Sequence, residues 1–500
     1  MVNYGVSRAC DMCKKRRKKC DETRPACLRC VKSRRPCPGY KDDTLLFFRH
    51  YAPANVVLVP ALERWTPSSD YLFETTAIDV FLNNVVVRSR DRSHSRGFLD
   101  GMHHIFTSSA TNSTLISAAK IVILGSIANR YRRESLSMLV RRQYGKLLTD
   151  YSTALSQEAG SLSVEHFFTT VLLGLYEMVA SDSTSPTKHL VHVHGLMSIL
   201  KKGITDSSPT SSVGVYSPGT HLVTLGTVTH GQGNGILSSP LEKTHRRSLD
   251  QIIIALSPLT SRAEALLTQP YPSAEALIHL RHDLLALLDE LVYWPNDQPP
   301  AWVPRLVGHV WQQGFCFSGP VEEYFDLYVA TAWNAWRSTH MICIDHLVHV
   351  TNALGQHEFV PLYIQRANAL AAGAKASIPY HLSQDVGDYV KHANVGKPFL
   401  HSDRLVGGLL LLHPLYAIAR CTVVDSETRQ YIANTLRWIG MEVGIGQANV
   451  LADCLQPDEQ GPSAMQSSPV SFLDALEGHL LITASMMLEP IQMSRSTLLR

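Results

Sequence analysis

The chain has 500 residues, 45% of them hydrophobic and 18% charged, with a net charge of +3 at pH 7. That apolar share excludes a disordered chain, and the length suits a small module beside one large folded region, or two medium domains. The opening residues MVNYGVSRACDMCKK hold no apolar signal-peptide core. The apolar stretches around 115–128 and 405–412 are too short or too interrupted by polar residues to span a bilayer, so a soluble, intracellular protein with no membrane partner is expected.

The small net charge hides an asymmetry. Residues 1–37 carry twelve Lys and Arg against three Asp and Glu, a balance of +9 that leaves about −6 for the rest of the chain. Six of the ten cysteines fall in the same stretch, whereas Cys316, Cys343, Cys421 and Cys454 are scattered through apolar surroundings and read as buried thiols. In a reducing compartment, clustered cysteines hold metal more often than they form disulfides.

The cysteine spacing is Cys10-x2-Cys13-x6-Cys20-x6-Cys27-x2-Cys30-x6-Cys37, one unit written twice with an offset of 17 residues. A single tetrahedral ion would use four thiolates and leave Cys20 and Cys37, equivalent positions of the two halves, without a role. Six sulfurs give two ions four ligands each only if two sulfurs bridge, and the repeat symmetry nominates the first cysteine of each half, Cys10 and Cys27. The expected cofactor is a pair of zinc ions sharing those two residues. Six thiolates and two zinc ions together add about −2, so the metallated segment stays at roughly +7 and its natural partner is a polyanion.

With these residues in register, the segment resembles the fungal zinc binuclear cluster family of transcription factors, whose basic run lies between the second and third cysteines. Here that run is CKKRRKKC, from Cys13 to Cys20. The resemblance implies one zinc on Cys10, Cys13, Cys20 and Cys27 and the other on Cys10, Cys27, Cys30 and Cys37, with Pro25 turning the chain between the halves. It implies double-stranded DNA as the partner, read at CGG-type half-sites by Arg16 and Arg17, whose guanidinium forks suit guanine O6 and N7. The family usually has lysine where this chain has Arg17, a departure at the residue closest to specificity.

A short helix after Cys10 would aim Lys14 through Lys19 at the major groove. Lys14, Lys15, Lys18, Lys19, Arg29 and Lys32 are read as phosphate contacts, which orient the module without reading sequence. The same basic residues suit nuclear import. After Cys37, PGYKDDTLLFFRHYAP carries no sustained apolar heptads, so a coiled-coil homodimer finds no support there.

From about residue 70 onward helical periodicity dominates: 77–87, 113–131, 165–179 and 273–294, the last with a stripe of Leu277, Leu280, Leu284, Leu287 and Leu291 ahead of Pro295. Further helices are expected from Tyr328 to Val350 and from Glu427 to Ile439, ahead of Gly440. No β-alternating pattern competes. The expected fold class is therefore a small zinc-binuclear-cluster module followed by a large all-α domain of paired antiparallel helices. Residues 172–203 and 436–452 resemble the helical regulatory domain that follows the zinc cluster in one branch of the same family.

The expected boundaries are 1–45 for the DNA-binding module, 46–70 for a linker and 71–455 for the regulatory domain. Residues 205–240, rich in Ser, Thr, Gly and Pro, read as a flexible insertion in that domain. A second linker at 456–470 precedes a C-terminal helix and tail at 471–500, where core spacing favours a packed helix over a free activation segment.

Three other signals carry little. His189, His192 and His194 do not share one helical face as metal ligands require. GQGNG at 231–235 mimics a phosphate loop without a strand before it or a helix after it. HExxH, G-x-S-x-G and P-loop patterns are absent, so an enzyme is not expected. The expected function is a nuclear, sequence-specific regulator of RNA polymerase II transcription that recruits transcription machinery or co-regulators. The resemblance implies control of one metabolic pathway or secondary-metabolite gene cluster. The alternatives are a metabolite-sensing regulator, or a repressor or adaptor using the same module.

Overall fold

The computed structural model describes residues 10–37 apart from 17, 22, 24 and 25, then 69–110, 113–157, 163–202 apart from 185, 236–240, 247–311, 318–395, 400–456 and 470–486. The chain divides into two units, 1–55 and 56–500. The first holds two short helices, α1 (Asp11–Lys15) and α2 (Leu28–Lys32), and its buried centre is Cys10, Cys13, Cys27 and Cys30. It has no aliphatic core among the described residues.

The second unit is helical. It begins with α3 (Ser69–Asn84), α4 (Met102–Ser108), α5 (Thr114–Arg130), α6 (Glu134–Gln157), α7 (Val164–Ala180) and α8 (Leu190–Lys202), followed by α9 (Leu249–Leu267) and α10 (Ala274–Tyr293). A hairpin of β1 (Arg305–Val310) and β2 (Gly319–Glu323) leads into α11 (Leu327–Ala353), α12 (Val360–Leu382) and α13 (Val386–Asn394). The last helices are α14 (Leu405–Arg420), α15 (Ser426–Trp438), α16 (Gly446–Asp453) and α17 (Phe472–Ala484).

Side-chain caps fix many of the starts. Ser113, Ser163, Ser248, Ser273, Asp326 and Asp425 each accept from the backbone N–H three residues on, satisfying a donor the helix itself leaves free. Consecutive helices then pack in pairs, α5 on α6 and α7, α9 on α10, α10 on α11, and α11 on α12 and α14. The stripe Leu277, Leu280, Leu284, Leu287 and Leu291 is buried as its spacing requires, and α11 is buried along nearly its whole length. Among the described residues, no helix is long and apolar enough to cross a membrane.

Four tryptophans close the turn after α10. Trp294, Trp302, Trp333 and Trp336 cluster with ring centroids 5.2–6.4 Å apart, Trp294 stacked on Trp336 and the other pairs edge to face. Three of their indole N–H groups donate to backbone: Trp302 to the His94 carbonyl, Trp333 to that of Trp302 and Trp336 to that of Leu291. These three rings thus pack their apolar bodies without stranding their donors.

Three expectations need amendment. The hairpin was not foreseen: RLVGHV and GPVEE are short and interrupted by Gly308, Gly319 and Pro320, so their pairing depends on tertiary partners. One partner is Arg337 of α11, buried, which reaches Glu322 at 2.7 Å, the Tyr324 hydroxyl at 2.7 Å and Asn334 Oδ1 at 3.0 Å. The other is Asn394, which donates to the His309 carbonyl and accepts from Trp311 N–H.

Second, the helix from Glu427 does not stop at Gly440. It continues as a π-helical turn, Ile439–Val443, and ends at Gly444, whose φ of 84° suits glycine. A side chain at Gly440 would collide with Asn449 of α16, which explains the glycine without a stop. Third, residues 205–235 of the expected insertion lie outside the described residues, but 236–240 are packed. Ile236 and Leu237 are buried, the Tyr328 hydroxyl donates to the Ile236 and Ser238 carbonyls, and Leu237 N–H donates to Asp250. Residues 46–68 and 457–469 of the expected linkers also lie outside the described residues.

The histidines of 189–194 diverge, as their spacing requires. His189 is buried and meets Gln447 at 3.3 Å, His192 meets the Tyr144 hydroxyl at 3.1 Å, and His194 turns out toward Glu477. The C-terminal helix α17 packs on α14 and α8, with Leu481, Ile482 and Ala484 buried. Its approach is fixed by the Val470 carbonyl, which accepts from the Tyr416 hydroxyl and Arg420.

Candidate metal centre and nucleic-acid interface

The sequence repeat of the first unit is a structural repeat. Each half places a five-residue helix directly after its first cysteine, α1 after Cys10 and α2 after Cys27. The backbone bonds recur at the same offset of 17: Cys13 N–H to Cys10 O at 3.0 Å and Cys30 N–H to Cys27 O at 3.1 Å, then Lys18 to Cys13 and Arg35 to Cys30, both at 3.1 Å. One turn of helix brings the x2-spaced sulfurs to the same side in both halves.

The sulfurs therefore converge. Cys10 and Cys27 lie 3.8 Å apart, as do Cys10 and Cys30, and Cys13 and Cys27. A disulfide needs about 2.05 Å, so these are not bridges. A tetrahedron with Zn–S bonds of about 2.3 Å has edges of about 3.8 Å, so the spacing is that of thiolates around zinc.

Two quartets form, Cys10, Cys13, Cys20 and Cys27, and Cys10, Cys27, Cys30 and Cys37, each with its ligand atoms within 4.8 Å of one another. They share Cys10 and Cys27, which of the six have no solvent exposure, while Cys20 and Cys37 are half-buried. Without a cation these thiols resist ionising. Burial pushes Cys10 and Cys13 up, and the hydrogen bond with Cys27, then burial, pushes Cys30 up to about 12. Two divalent ions reverse that preference by holding the thiolate form.

Around this centre the surface is basic. Lys15 at the end of α1 and Arg16, Lys18 and Lys19 after it are exposed, and Lys32 is exposed in the last turn of α2. Arg17 and Pro25, and the side chain of Lys14, lie outside the described residues. Arg29 differs from its basic neighbours, because its Nη1 donates to the Lys19 carbonyl at 2.9 Å.

One residue was overlooked in the sequence. Asp21, next to Cys20, accepts from Leu28 N–H at 2.9 Å and Arg29 N–H at 3.2 Å, capping α2 from across the loop. The Thr23 hydroxyl bond, followed by these two backbone bonds, holds its carboxyl down to about 2. The signal was an acid seven residues ahead of a helix start, too long a separation for local capping rules.

Residues 8–45 match the family model of the fungal Zn(2)-Cys(6) binuclear cluster domain. The transcription factor dbaG of Emericella nidulans is 31% identical over 392 residues, which span 77% of this chain and 92% of that relative. The chain belongs to the fungal zinc binuclear cluster transcription factors. The likeness to dbaG extends far beyond the cysteine module, so the helical unit is part of what is shared. No solved structure matches the chain.

As a zinc binuclear cluster transcription factor the protein binds two zinc ions and DNA, and it is not an enzyme. The zinc ions supply positive charge and fixed tetrahedral geometry. The chain supplies the sulfurs, the two helices and the basic surface.

Proposed function

We propose that this protein is a nuclear regulator of RNA polymerase II transcription that reads CGG-type half-sites through Arg16 and Arg17. Cys10, Cys13, Cys20 and Cys27 hold one zinc, Cys10, Cys27, Cys30 and Cys37 the other, and Lys14, Lys15, Lys18, Lys19 and Lys32 contact phosphates. The observation that supports this best is the pair of overlapping cysteine quartets with the run Lys14–Lys19 between Cys13 and Cys20 of the first. Residues 1–45 form the DNA-binding module. The helical region of 71–455 recruits machinery or co-regulators, and the regulated genes form one metabolic pathway or secondary-metabolite cluster.

Arg17 and Lys14 carry the test. Arg17→Ala is expected to cost about 1 to 3 kcal/mol on a CGG-containing duplex and less on a scrambled one. Lys14→Ala should weaken both duplexes nearly equally and reduce the log–log salt slope by about one. Titration of both variants over several salt concentrations separates the roles. Equal losses on both duplexes for Arg17→Ala would reduce Arg17 to a phosphate clamp and overturn the half-site.

A further inference from the structure

The loop between the two zinc halves is closed by contacts that no zinc ion makes. Asp21 bonds the backbone N–H groups of Leu28 and Arg29 at the start of α2. The guanidinium of Arg29 then returns to the Lys19 carbonyl, two residues before Asp21. The result is a ring of hydrogen bonds joining the end of the basic run to the first turn of the second helix. Lys19 stands at the point where the run re-enters the cluster at Cys20.

We propose that Asp21 and Arg29 form a clasp that positions the basic run for sequence reading, so that Arg29 is a positioning residue and not one of the phosphate contacts expected for it. The clasp rests on the reading of the run as the DNA-facing element. Its physical logic is that bidentate recognition of guanine tolerates little displacement, whereas phosphate attraction tolerates much. Zinc fixes the cysteines at either end of the run. Lys19, whose side chain is exposed, is held through its carbonyl by Arg29, and the orientation of Arg29 is set in turn by Asp21.

Charge alone and the clasp make opposite predictions for Asp21. Removing an acidic side chain from a basic module should strengthen binding to a polyanion. Loss of the clasp should instead weaken binding to the specific site. The full chain carrying Asp21→Ala or Arg29→Ala, each checked for two bound zinc ions, is titrated against CGG-containing and scrambled duplexes over a salt series.

The expected result is a loss of about fivefold on the specific duplex for either variant, the equivalent of one hydrogen bond. The scrambled duplex should be bound by Asp21→Ala at least as tightly as by the wild type. Asp21→Asn, which keeps an acceptor for α2, should recover part of the loss. Equal or tighter binding of the specific duplex by Asp21→Ala overturns the clasp. So does a fall of about one in the salt slope for Arg29→Ala, which would make Arg29 a phosphate contact.

Hydrogen–deuterium exchange of the peptide spanning Leu28 and Arg29 judges the clasp without DNA. Protection in the wild type that is lost in Asp21→Ala supports it, and unprotected exchange in the wild type overturns it. If the wild type does not prefer the CGG duplex, the half-site reading fails, while the exchange result still decides the clasp.

Discussion

The two units of this chain solve the same problem with different chemistry. The first centres on sulfur, with Cys10, Cys13, Cys27 and Cys30 buried and its described basic side chains outside. A segment this short cannot bury enough apolar surface to offset its conformational entropy, so metal must supply the difference. The second unit buries leucine stripes, a tryptophan cluster and almost all of α11. One chain thus holds two stabilities answering to separate variables, metal activity for the reader and packing for the helical unit.

The largest expected effect separates those variables directly. A strong chelator, or Cys10→Ser, removes a thiolate or ion that both quartets use, and zinc binding in small modules is worth about 10 to 16 kcal/mol. DNA binding and the fold of the first unit should be lost together. All seven tryptophans lie at or after Trp65, so tryptophan fluorescence reports on the helical unit alone and should not change. A parallel collapse of that signal would show that the two stabilities are one.

The next effect lies wholly inside the helical unit. Arg337 is buried against Glu322, Tyr324 and Asn334, tying β2 to α11. Arg337→Leu takes the cation from the partly exposed Glu322 carboxylate, which keeps its bond from the Tyr324 hydroxyl, and should destabilise the unit by about 1.5 to 3 kcal/mol in denaturant melts, with zinc content unchanged. Adding Glu322→Gln should recover much of the loss, because it removes the unpaired charge. No recovery would mean that the arginine acts through packing alone.

The same contrast explains what could be read from the sequence. Metal geometry is local and strict, so six cysteines in register announced two sulfur quartets before any fold was known. The helices of the second unit were legible because burial imposes a period, as in Leu277 through Leu291, and because capping residues such as Ser273 mark the start. What escaped depends on partners distant in sequence. The hairpin needs Arg337 and Asn394, and the burial of 236–240 needs Tyr328 and Asp250. Asp21 needs a loop folded back on itself, and Gly440 read as a stop only because Asn449 was not yet in view.

The smallest expected effect concerns protons. Burial lowers the pKa of His189 and His479 to about 4, and that of His413 well below its usual value. His413 lies against His189 and His479, whose charges would further oppose its own, and Asp474 partly offsets the shift at His189. These imidazoles are neutral in the native state but bind protons below about pH 6.5 once unfolded. The unfolded state therefore takes up more protons as pH falls, and each such histidine removes up to about 1.4 kcal/mol of stability per pH unit between about 6.5 and its folded pKa. Buried Asp250 and Asp326, raised by burial, act in the opposite sense, because the native state protonates first at those sites. The wild-type slope is thus a difference of two contributions, and a variant isolates one of them. His413→Leu should lessen the acid sensitivity of melts followed by tryptophan fluorescence between pH 7 and 5, whatever its effect at pH 7, and His479→Leu should do the same. An unchanged pH dependence in both would show that these rings are protonated in the folded unit, and that the helical core tolerates charge where its burial says it should not.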